Sequence, residues 1–419
     1  MSLAEKRLKQ QSQIEYQEML TTSYLQDDKQ IMERAIQLKT QLFQVDYKTF
    51  SPLLKRQLGA FLGTLIGDAL GAPFEFLPFG QSHISKNLFK QEKPFDFPSS
   101  LKEYEKSFQS QKIVDCADKT STHFNLRFGA LAGMWTDDSC QMLCLAEVLA
   151  FYKQLNGCQF HWAIDDWLKH GFCSAYNKDL YKLQIKLCQD RTPTSFGLGQ
   201  TSGQTVSWFN EQKFDRGCEQ QECFSQVGNE RTDGNGALMR NGVTFLIKDI
   251  QIALKTARDQ ALTTHKGTNS MLCCMLHTFI GWKFVNGFSW QQIDFNEFKQ
   301  LLSEQKIELT EELKNVLSSS GKWNWKDENW ADTQEDTRGS FGGYAVDCIA
   351  LALHYLQHEK KLEHLATRGG DADSNAAVLG CLIGARSGID VFRSNWVKTI
   401  MNFDENAFVC ARFLAVNEM

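Results

Sequence analysis

The feature that most constrains the fold is a pair of small-residue stripes near opposite ends of the chain. In each stripe a small residue recurs every four positions in a mostly apolar segment; the first comprises Gly59, Gly63, Gly67 and Gly71, and the second Ala376, Gly380, Gly384 and Gly388. Glycine inside a helix costs roughly 1 kcal/mol relative to alanine, so several in register are expected only where another backbone approaches closely. We therefore predict two helices that pack against each other through these stripes at the centre of the molecule.

A short turn with two carboxylates, residues 369–375, lies directly before the second stripe and has the sequence Gly-Gly-Asp-Ala-Asp-Ser-Asn. Carboxylates two residues apart do not share a helix face. On a turn that enters a helix, however, Asp371 and Asp373 can face one cation, because the glycines permit unusual dihedral angles. Hard divalent cations take about six oxygen ligands, so the turn needs a second oxygen cluster to complete a metal site.

The best candidate for that second cluster is residues 136–139, Thr-Asp-Asp-Ser, which precede a helical pattern. Taken alone, this segment can also simply be a set of helix caps and dipole partners. Packing of the striped helices would bring Glu75, just past the first stripe, towards Asp371 and Asp373. Asp68, inside the first stripe, is either a solvated or capping residue or a support for the site.

The sequence divides into an N-terminal helical extension, residues 1–55, and a main body, residues 56–419. In the extension, apolar residues recur at three- and four-residue steps, namely at Ile31, Ala35, Leu38 and Leu42. This spacing predicts a helix over 28–43 that packs on the body or binds a partner. Inside the body, residues 80–130 show no sustained period and are interpreted as an irregular insertion.

Two glycine-rich stretches are candidates for ligand contact. Residues 191–203 offer backbone N–H groups and hydroxyls to phosphate oxygens, although they match neither the P-loop nor the dinucleotide fingerprint. Glycines flank Asn235 within residues 233–242 and would let the backbone approach a ligand. His265 lies at a break in a helical pattern, where it either reaches a cleft or is structural.

The other potential metal ligands are not assigned to a site. His354 and His358 lie four residues apart without flanking ligands, so we interpret them as part of a helix surface rather than as a metal pair. The 13 cysteines include no CxxC pair that would suggest zinc, and we interpret them as small buried hydrophobes. The absence of a secretory signal and of a long apolar stretch predicts a cytoplasmic protein, with the nucleus as an alternative, and no membrane partner.

Composition and periodicity define the fold class. The chain has 419 residues, of which 42% are hydrophobic and 23% charged, enough apolar material for a large core. A net charge of -5 without a basic domain argues against direct nucleic-acid binding. Nearly every periodic segment has the helical period, and alternating runs of Val, Ile and Thr are absent, so the predicted fold is all-α. Helix N-terminal turns lining a cleft would collect the oxygen clusters.

Five separated stretches, in this order along the chain, resemble the ADP-ribosylglycohydrolase family, which includes the dinitrogenase reductase-activating glycohydrolase and its animal relatives. They are GTLIGDALGAPFEF from Gly63, MWTDDSCQMLCLAEVL from Met134, GNGALMR after Asp233, TTHKG from Thr263 and GGDADSNAAVLGCLIGA from Gly369. The first, second and last are specific. The resemblance implies a compact orthogonal helical bundle with a dimetal cleft. It also implies a hydrolase that uses two Mg²⁺ ions, or alternatively Mn²⁺, to remove ADP-ribose from modified protein side chains.

The resemblance also assigns expected roles by position. The residues that match the family's metal ligands are Thr136, Asp137, Asp138, Asp371, Asp373 and Ser374, where the serine stands in place of the commoner threonine. Glu75 matches the acidic residue beside the metals. Asn235, His265 and Tyr344 fall where family members contact ADP-ribose, Tyr344 on the short match GGYAVD.

A mechanism follows from the chemistry of the bond. Cleavage at the anomeric carbon of a ribose builds oxocarbenium-like charge, and a nearby acid helps the leaving group depart. Two cations would orient the 2′- and 3′-hydroxyls and lower the pKa of a water. Glu75 or one of the metal-site aspartates is the expected general base, which makes the catalytic candidates Glu75, Asp138 and Asp371. Residues 195–203 are expected to receive the diphosphate, with Gly197 and Gly199 as the contacts.

Two other functions remain open. A catalytically inactive ADP-ribose-binding or structural relative is the alternative, because crystallin members of the family have lost the chemistry; the complete set of carboxylates favours the enzyme. An all-helical metal-dependent phosphohydrolase would normally use histidine ligands, for which His265 is the sole candidate, and the chain has no His-Asp dipeptide. We expect a monomer that acts on an ADP-ribosylated protein or an ADP-ribose-type small molecule. The hydrolysed linkage, arginine, serine or other, cannot be inferred from the sequence.

Overall fold

The computed structural model describes residues 23–80, 133–175, 197–229, 233–334 and 341–419. Within these ranges the chain is helical and contains no β-strand, with one isolated bridge between Gly234 and Tyr344, so the predicted all-α class is confirmed. The predicted insertion at 80–130 lies outside the described residues, except for residue 80. None of the helices described is long and apolar enough to cross a membrane.

The α-helices are numbered in chain order over the described residues. They are α1 (Lys29–Gln44), α2 (Pro52–Gly71), α3 (Asp137–Tyr152), α4 (Gly157–His170), α5 (Gln200–Glu211), α6 (Ile250–Thr264), α7 (Thr268–Val285), α8 (Phe295–Glu304), α9 (Glu311–Ser318), α10 (Ala345–Gln357), α11 (Leu362–Ala366), α12 (Ala372–Ser387), α13 (Ser394–Phe403) and α14 (Phe408–Asn417). Short 3₁₀ helices occupy Ala72–Phe74, Asn235–Ala237, Asn241–Leu246, Trp290–Gln292, Gly321–Trp323, Trp330–Thr333 and Ile389–Val391.

The two glycine-striped helices, α2 and α12, run antiparallel with their backbones in contact. A Cβ atom added to Gly63 would lie 2.7 Å from the carbonyl carbon of Gly380, closer than side chains tolerate. Similarly, a Cβ atom on Gly67 would lie 2.8 Å from the amide nitrogen of Ala377. The predicted pairing is therefore confirmed, and it places the end of α2 beside the start of α12.

Helix α1 forms as predicted and packs against α13 and α14. Asp28 caps its N-terminus by accepting a hydrogen bond from the amide of Ile31 at 3.1 Å. The predicted apolar face, formed by Ile31, Ala35, Leu38 and Leu42, is buried. Of the two interpretations offered by the sequence, the structure shows a packed arm.

His354 corrects one sequence interpretation. It lies on α10 but is fully buried, because the segment that carries Trp325 covers this face of the helix. Its Nδ1–H donates to the carbonyl oxygen of Trp325 at 2.9 Å, and the Lys360 ammonium donates to its Nε2 at 2.9 Å. Burial lowers the pKa of His354 to about 4. The surface interpretation was therefore wrong for this residue. His358, which is not fully buried, also donates to the Trp325 carbonyl, at 3.3 Å.

Candidate active site

The first turns of α3 and α12 meet beside the end of α2. Carboxylate oxygens of Asp68, Asp138 and Asp373 lie within 4.8 Å of one another, and so do those of Glu75, Asp371 and Asp373. Asp373 belongs to both groups, so the two sets form one continuous carboxylate centre. The two oxygen clusters that are 232 or more residues apart in sequence are thus brought together by the helix pair, as the sequence predicts.

Asp68 is the residue that joins α2 to the first turn of α3. Its buried carboxylate accepts hydrogen bonds from the amide and hydroxyl of Thr136, at 3.0 and 2.8 Å, and from the amide and hydroxyl of Ser139, at 3.0 and 2.6 Å. The Thr136 side chain itself makes no capping bond. Asp68 is therefore a cap supplied by a neighbouring helix, and it holds the start of α3 in place.

The turn before α12 positions Glu75. Gly369 and Gly370 have positive φ angles of 78° and 69°, the unusual backbone that the two glycines predict. The amide of Phe76 donates to the carbonyl of Gly370 at 2.9 Å, and the amide of Gly370 donates to the carbonyl of Leu77 at 2.7 Å. These reciprocal bonds fix the segment after α2 against the turn, so that half-buried Glu75 faces Asp373.

The carboxylates of this centre share a strongly unfavourable environment for charge. Burial, assisted by the charges of Asp68 and Asp371, raises the pKa of Asp137 to about 8. Burial raises the pKa of Asp68 to about 6 and that of Asp138 and Asp373 well above the usual range. Asp138 Oδ1 is buried and accepts no hydrogen bond. Crowded buried carboxylates with an unpartnered oxygen are a donor set that suits a hard divalent cation, so the centre can hold a metal ion.

Gly197 and Gly199 differ in their surroundings. Gly197 has a φ of +69°, and a Cβ atom there would lie 2.6 Å from the carboxylate carbon of Asp137, so only glycine fits against this residue. Gly199 is the N-cap of α5, and a Cβ atom on it would meet no atom within 4 Å. The described part of the predicted loop therefore touches the carboxylate centre at Gly197 and opens into free space at Gly199; residues 191–196 lie outside the described residues.

Asn235 contacts the centre directly. Its side-chain amide donates to Asp371 Oδ2 at 2.8 Å and to the carbonyl of Gly342 at 3.0 Å. Its own amide donates to the carbonyl of Gly343 at 2.9 Å, which ties the glycine-flanked turn to the backbone beside Tyr344. The half-buried Tyr344 accepts a hydrogen bond from Asn269 at 3.0 Å, so it lies next to the centre rather than among the carboxylates.

His265 is buried against the turn that carries Asn235. A Cβ atom on Gly236 would lie 3.2 Å from its Nε2. The Thr264 hydroxyl accepts from Arg240 at 2.6 Å and lies 2.8 Å from His265 Nδ1. This contact holds the Nδ1 edge of the ring against Thr264. Burial, with the charge of Arg240, lowers the pKa of His265 to about 3, so the ring is neutral.

Sequence reasoning missed the support given by Arg240. This fully buried residue donates to Gln141 at 2.7 Å and to the Gln260 side chain at 2.9 Å, in addition to Thr264. It thereby links α3, α6 and the turn that follows Asn235. The available signal was an arginine inside the apolar run ALMRNGVTFL, where a charge requires buried partners.

Comparison with known proteins gives consistent matches. The family described as ADP-ribosylglycohydrolase matches residues 50–417. The ADP-ribosylarginine hydrolase Tri1 of Serratia proteamaculans (strain 568) is 24% identical over 374 residues, which cover 86% of this chain and 81% of that protein. The Tri1 protein of Pseudomonas putida (strain GB-1) is 22% identical over 356 residues, which cover 83% of this chain and 74% of that protein. A solved structure titled "ADP-ribosylglycohydrolase-related protein complex" has a TM-score of 0.52 at 21% identity, covering 86% of this chain and 98% of that chain, and shares the fold.

Proposed function

Because this chain belongs to the ADP-ribosylglycohydrolase family, we propose that it is a magnesium-dependent hydrolase that removes ADP-ribose from modified protein side chains. The observation that carries the proposal is the carboxylate centre, in which Asp373 is shared by two groups and lies within 4.8 Å of two other proposed ligands, Asp138 and Asp371. A single structural ion would need one such group. Two groups with a common carboxylate suit the paired cations that act on one substrate.

The proposed metal ligands are Thr136, Asp137, Asp138, Asp371, Asp373 and Ser374. When bound, Mg²⁺, or alternatively Mn²⁺, would orient the ribose hydroxyls and lower the pKa of a water. The unpartnered Asp138 Oδ1 supports this assignment, since a buried carboxylate oxygen without a donor is costly unless a cation satisfies it. Asp68 is proposed to keep the first turn of α3 in register with the first turn of α12.

The remaining residues are proposed to bind and orient the substrate. Glu75, half-buried at the edge of the centre, serves as the general base and draws a proton from the attacking water. Asn235 holds Asp371 through its amide. Neutral His265 offers the Nε2 edge of its ring as a hydrogen-bond partner for the substrate. At Gly199 the open N-terminus of α5 offers backbone N–H groups to the diphosphate.

We assign the arginine linkage to the substrate. The support is that two relatives, at 24% and 22% identity, are named ADP-ribosylarginine hydrolases. The competing function is an inactive ADP-ribose-binding relative. The intact carboxylate centre favours catalysis, because a binding module needs no unpartnered buried carboxylate oxygen.

The test is release of ADP-ribose from arginine- and serine-ADP-ribosylated peptides, each with Mg²⁺ and with a chelator. We expect release from the arginine peptide only, and only with Mg²⁺. Asp138→Asn and Asp371→Asn should each lower the rate about 100-fold or more. The matched control is Asp390→Asn, an exposed aspartate paired with Lys55 at 2.7 Å past the far end of α12, which should keep the wild-type rate.

The outcomes separate the parts of the proposal. Near wild-type release by folded Asp138→Asn and Asp371→Asn proteins would refute the role of the carboxylate centre. Release from the serine peptide alone would refute the linkage and leave the hydrolase intact. No release from either peptide, together with measurable ADP-ribose binding by calorimetry, would identify the inactive relative.

A further inference from the structure

A second set of potential metal ligands lies outside the carboxylate centre, where α4 meets the loop 212–229. Cys158 and His161 belong to the first turns of α4, and Cys218 and Cys223 come from the loop. We propose that these three thiols and one imidazole form a structural zinc site. Cysteine sulfur and histidine nitrogen are the ligands that structural zinc prefers, in groups of four.

The four side chains lie in one small cluster. Cys218 packs against the buried Cys158 and Cys223, and the His161 ring stacks on Phe209 of the same cluster. Cys158 and Cys223 are buried together in a small apolar cluster that is separate from the main core.

His161 already has the arrangement of a zinc ligand. Its Nε2 lies 3.2 Å from the carbonyl oxygen of Cys223, so Nε2 carries the proton and donates it. The lone pair is therefore on Nδ1, which is buried and has no hydrogen-bond partner. Histidines that bind zinc commonly fix their tautomer through such a bond to a carbonyl. The ring stacks on Phe209 with centroids 4.4 Å apart, which sets its plane.

The loop itself gives a reason for the metal. Residues 212–229 contain neither helix nor strand, and loops longer than about 12–15 residues without structure of their own are uncommon in compact domains. The loop is bound to the start of α4: the amide of Cys158 donates to the carbonyl of Gln220 at 3.0 Å, and the Gln159 side chain donates to the carbonyl of Cys218 at 2.6 Å. These bonds hold both loop cysteines beside the start of α4, and a bound zinc ion would fix them there.

Zinc binding would draw the four side chains inward. Among the residues described, only the carboxylate groups bring three ligand atoms within 4.8 Å of one another, whereas thiolates around zinc lie about 2.3 Å from the ion. Cys218 is partly exposed, which leaves an entry path for the ion and room for its side chain to rotate. The site is independent of the hydrolase proposal, because none of the four ligands belongs to the carboxylate centre.

The test is metal content and cobalt spectroscopy of the full chain, purified under reducing conditions, loaded with zinc and dialysed. We expect about one tightly held zinc ion per chain by mass spectrometry of the metal. Replacement by Co²⁺ should produce the intense thiolate-to-cobalt charge-transfer absorption that a carboxylate site cannot give. Cys158→Ser and Cys223→Ser should each weaken this band, because each removes one of the three thiolates. Cys218→Ser, at a partly exposed position that puts folding at little risk, should lower zinc affinity about tenfold or more.

Cys410→Ser is the matched control, since Cys410 is also buried but lies on α14. It should keep both zinc and the cobalt band, and Asp138→Asn should keep the band as well. Lack of a charge-transfer band in the wild type, or an unchanged band in Cys158→Ser and Cys218→Ser, would overturn the proposal. So would a Cys158–Cys223 disulfide in freshly purified protein, because it would make this cluster a redox pair.

Discussion

The carboxylate centre and the thiol cluster, formed by Cys158, His161, Cys218 and Cys223, both contain potential metal ligands on the first turns of helices. They are supported by different parts of the fold. The carboxylates lie at the junction of α2, α3 and α12, where the backbones of two helices touch. The thiols lie between α4 and an irregular loop. A centre built on a rigid helix pair holds its ligands close before any ion arrives. A cluster completed by a loop depends on the ion to hold the loop.

The largest expected effect comes from breaking the helix pair. Gly63→Leu would force a side chain into the backbone of Gly380, where even a Cβ atom would lie 2.7 Å from the carbonyl carbon. Since neither backbone can move without separating α2 from α12, we expect a loss of about 3 kcal/mol or more in the free energy of unfolding. The measurement is urea denaturation followed by circular dichroism.

The control for this prediction is Gly199→Ala, where a Cβ atom meets nothing within 4 Å and φ is −58°. It should change the free energy of unfolding by no more than about 0.5 kcal/mol. If Gly63→Leu lowered the free energy of unfolding by less than about 1 kcal/mol, the two helices could separate at little cost. The carboxylate centre would then not rest on a rigid helix pair.

The same contrast explains what the sequence can predict. The glycine stripes are local patterns with a four-residue step, and they predict the helix pair, the meeting of the two oxygen clusters and the position of Glu75. The positive φ angles of Gly369 and Gly370 were likewise predictable, because few residues other than glycine adopt them. These features follow from short segments and the direct packing of two helices.

Other features depend on distant segments that cover a residue. Asp68 is a cap because α3 begins beside it, and the residues around position 68 in the sequence do not predict that contact. His354 is buried because the Trp325 segment folds over it. The proposed zinc ligands fall in two short pairs, Cys158 with His161 and Cys218 with Cys223, and neither pair is long enough to be recognised as a zinc motif alone. Only the fold joins them.

An effect of intermediate size is the pH dependence of stability that His265 causes, which reflects how the histidines of the two regions differ. His265 Nδ1 is paired with the Thr264 hydroxyl, and burial lowers the pKa of His265 from 6.5 to about 3, whereas His161 Nδ1 has no hydrogen-bond partner. Between pH 6.5 and pH 3 the imidazole of residue 265 is protonated in the unfolded chain but not in the folded chain. The free energy of unfolding therefore falls as the pH drops below 6.5. Relative to His265→Gln, the wild type should lose about 2 kcal/mol of unfolding free energy between pH 7 and pH 5.

Urea denaturation of both proteins at the two pH values measures this difference, since every other titrating group is common to them. Imidazole ¹⁵N chemical shifts give a second readout and should report a neutral His265 ring at pH 5. A constant difference between the two proteins across this range would show that His265 is charged or exposed in the folded chain, contrary to the buried neutral ring that the structure describes.

The smallest expected effect tests whether the two regions are independent. Cys218 is partly exposed, so Cys218→Ser removes little packing, and its principal consequence should be a looser loop 212–229. Limited proteolysis should therefore cut this loop faster than in the wild type, while the rate of ADP-ribose release with saturating Mg²⁺ stays unchanged, because no ligand of the carboxylate centre lies on the loop.

The loop does reach α6, where the Ser225 amide donates to the carbonyl of Leu262 at 2.9 Å. If Cys218→Ser slowed the reaction about tenfold without changing global stability, that contact would have to transmit loop order to His265 at the end of α6, and the two regions would be one coupled unit.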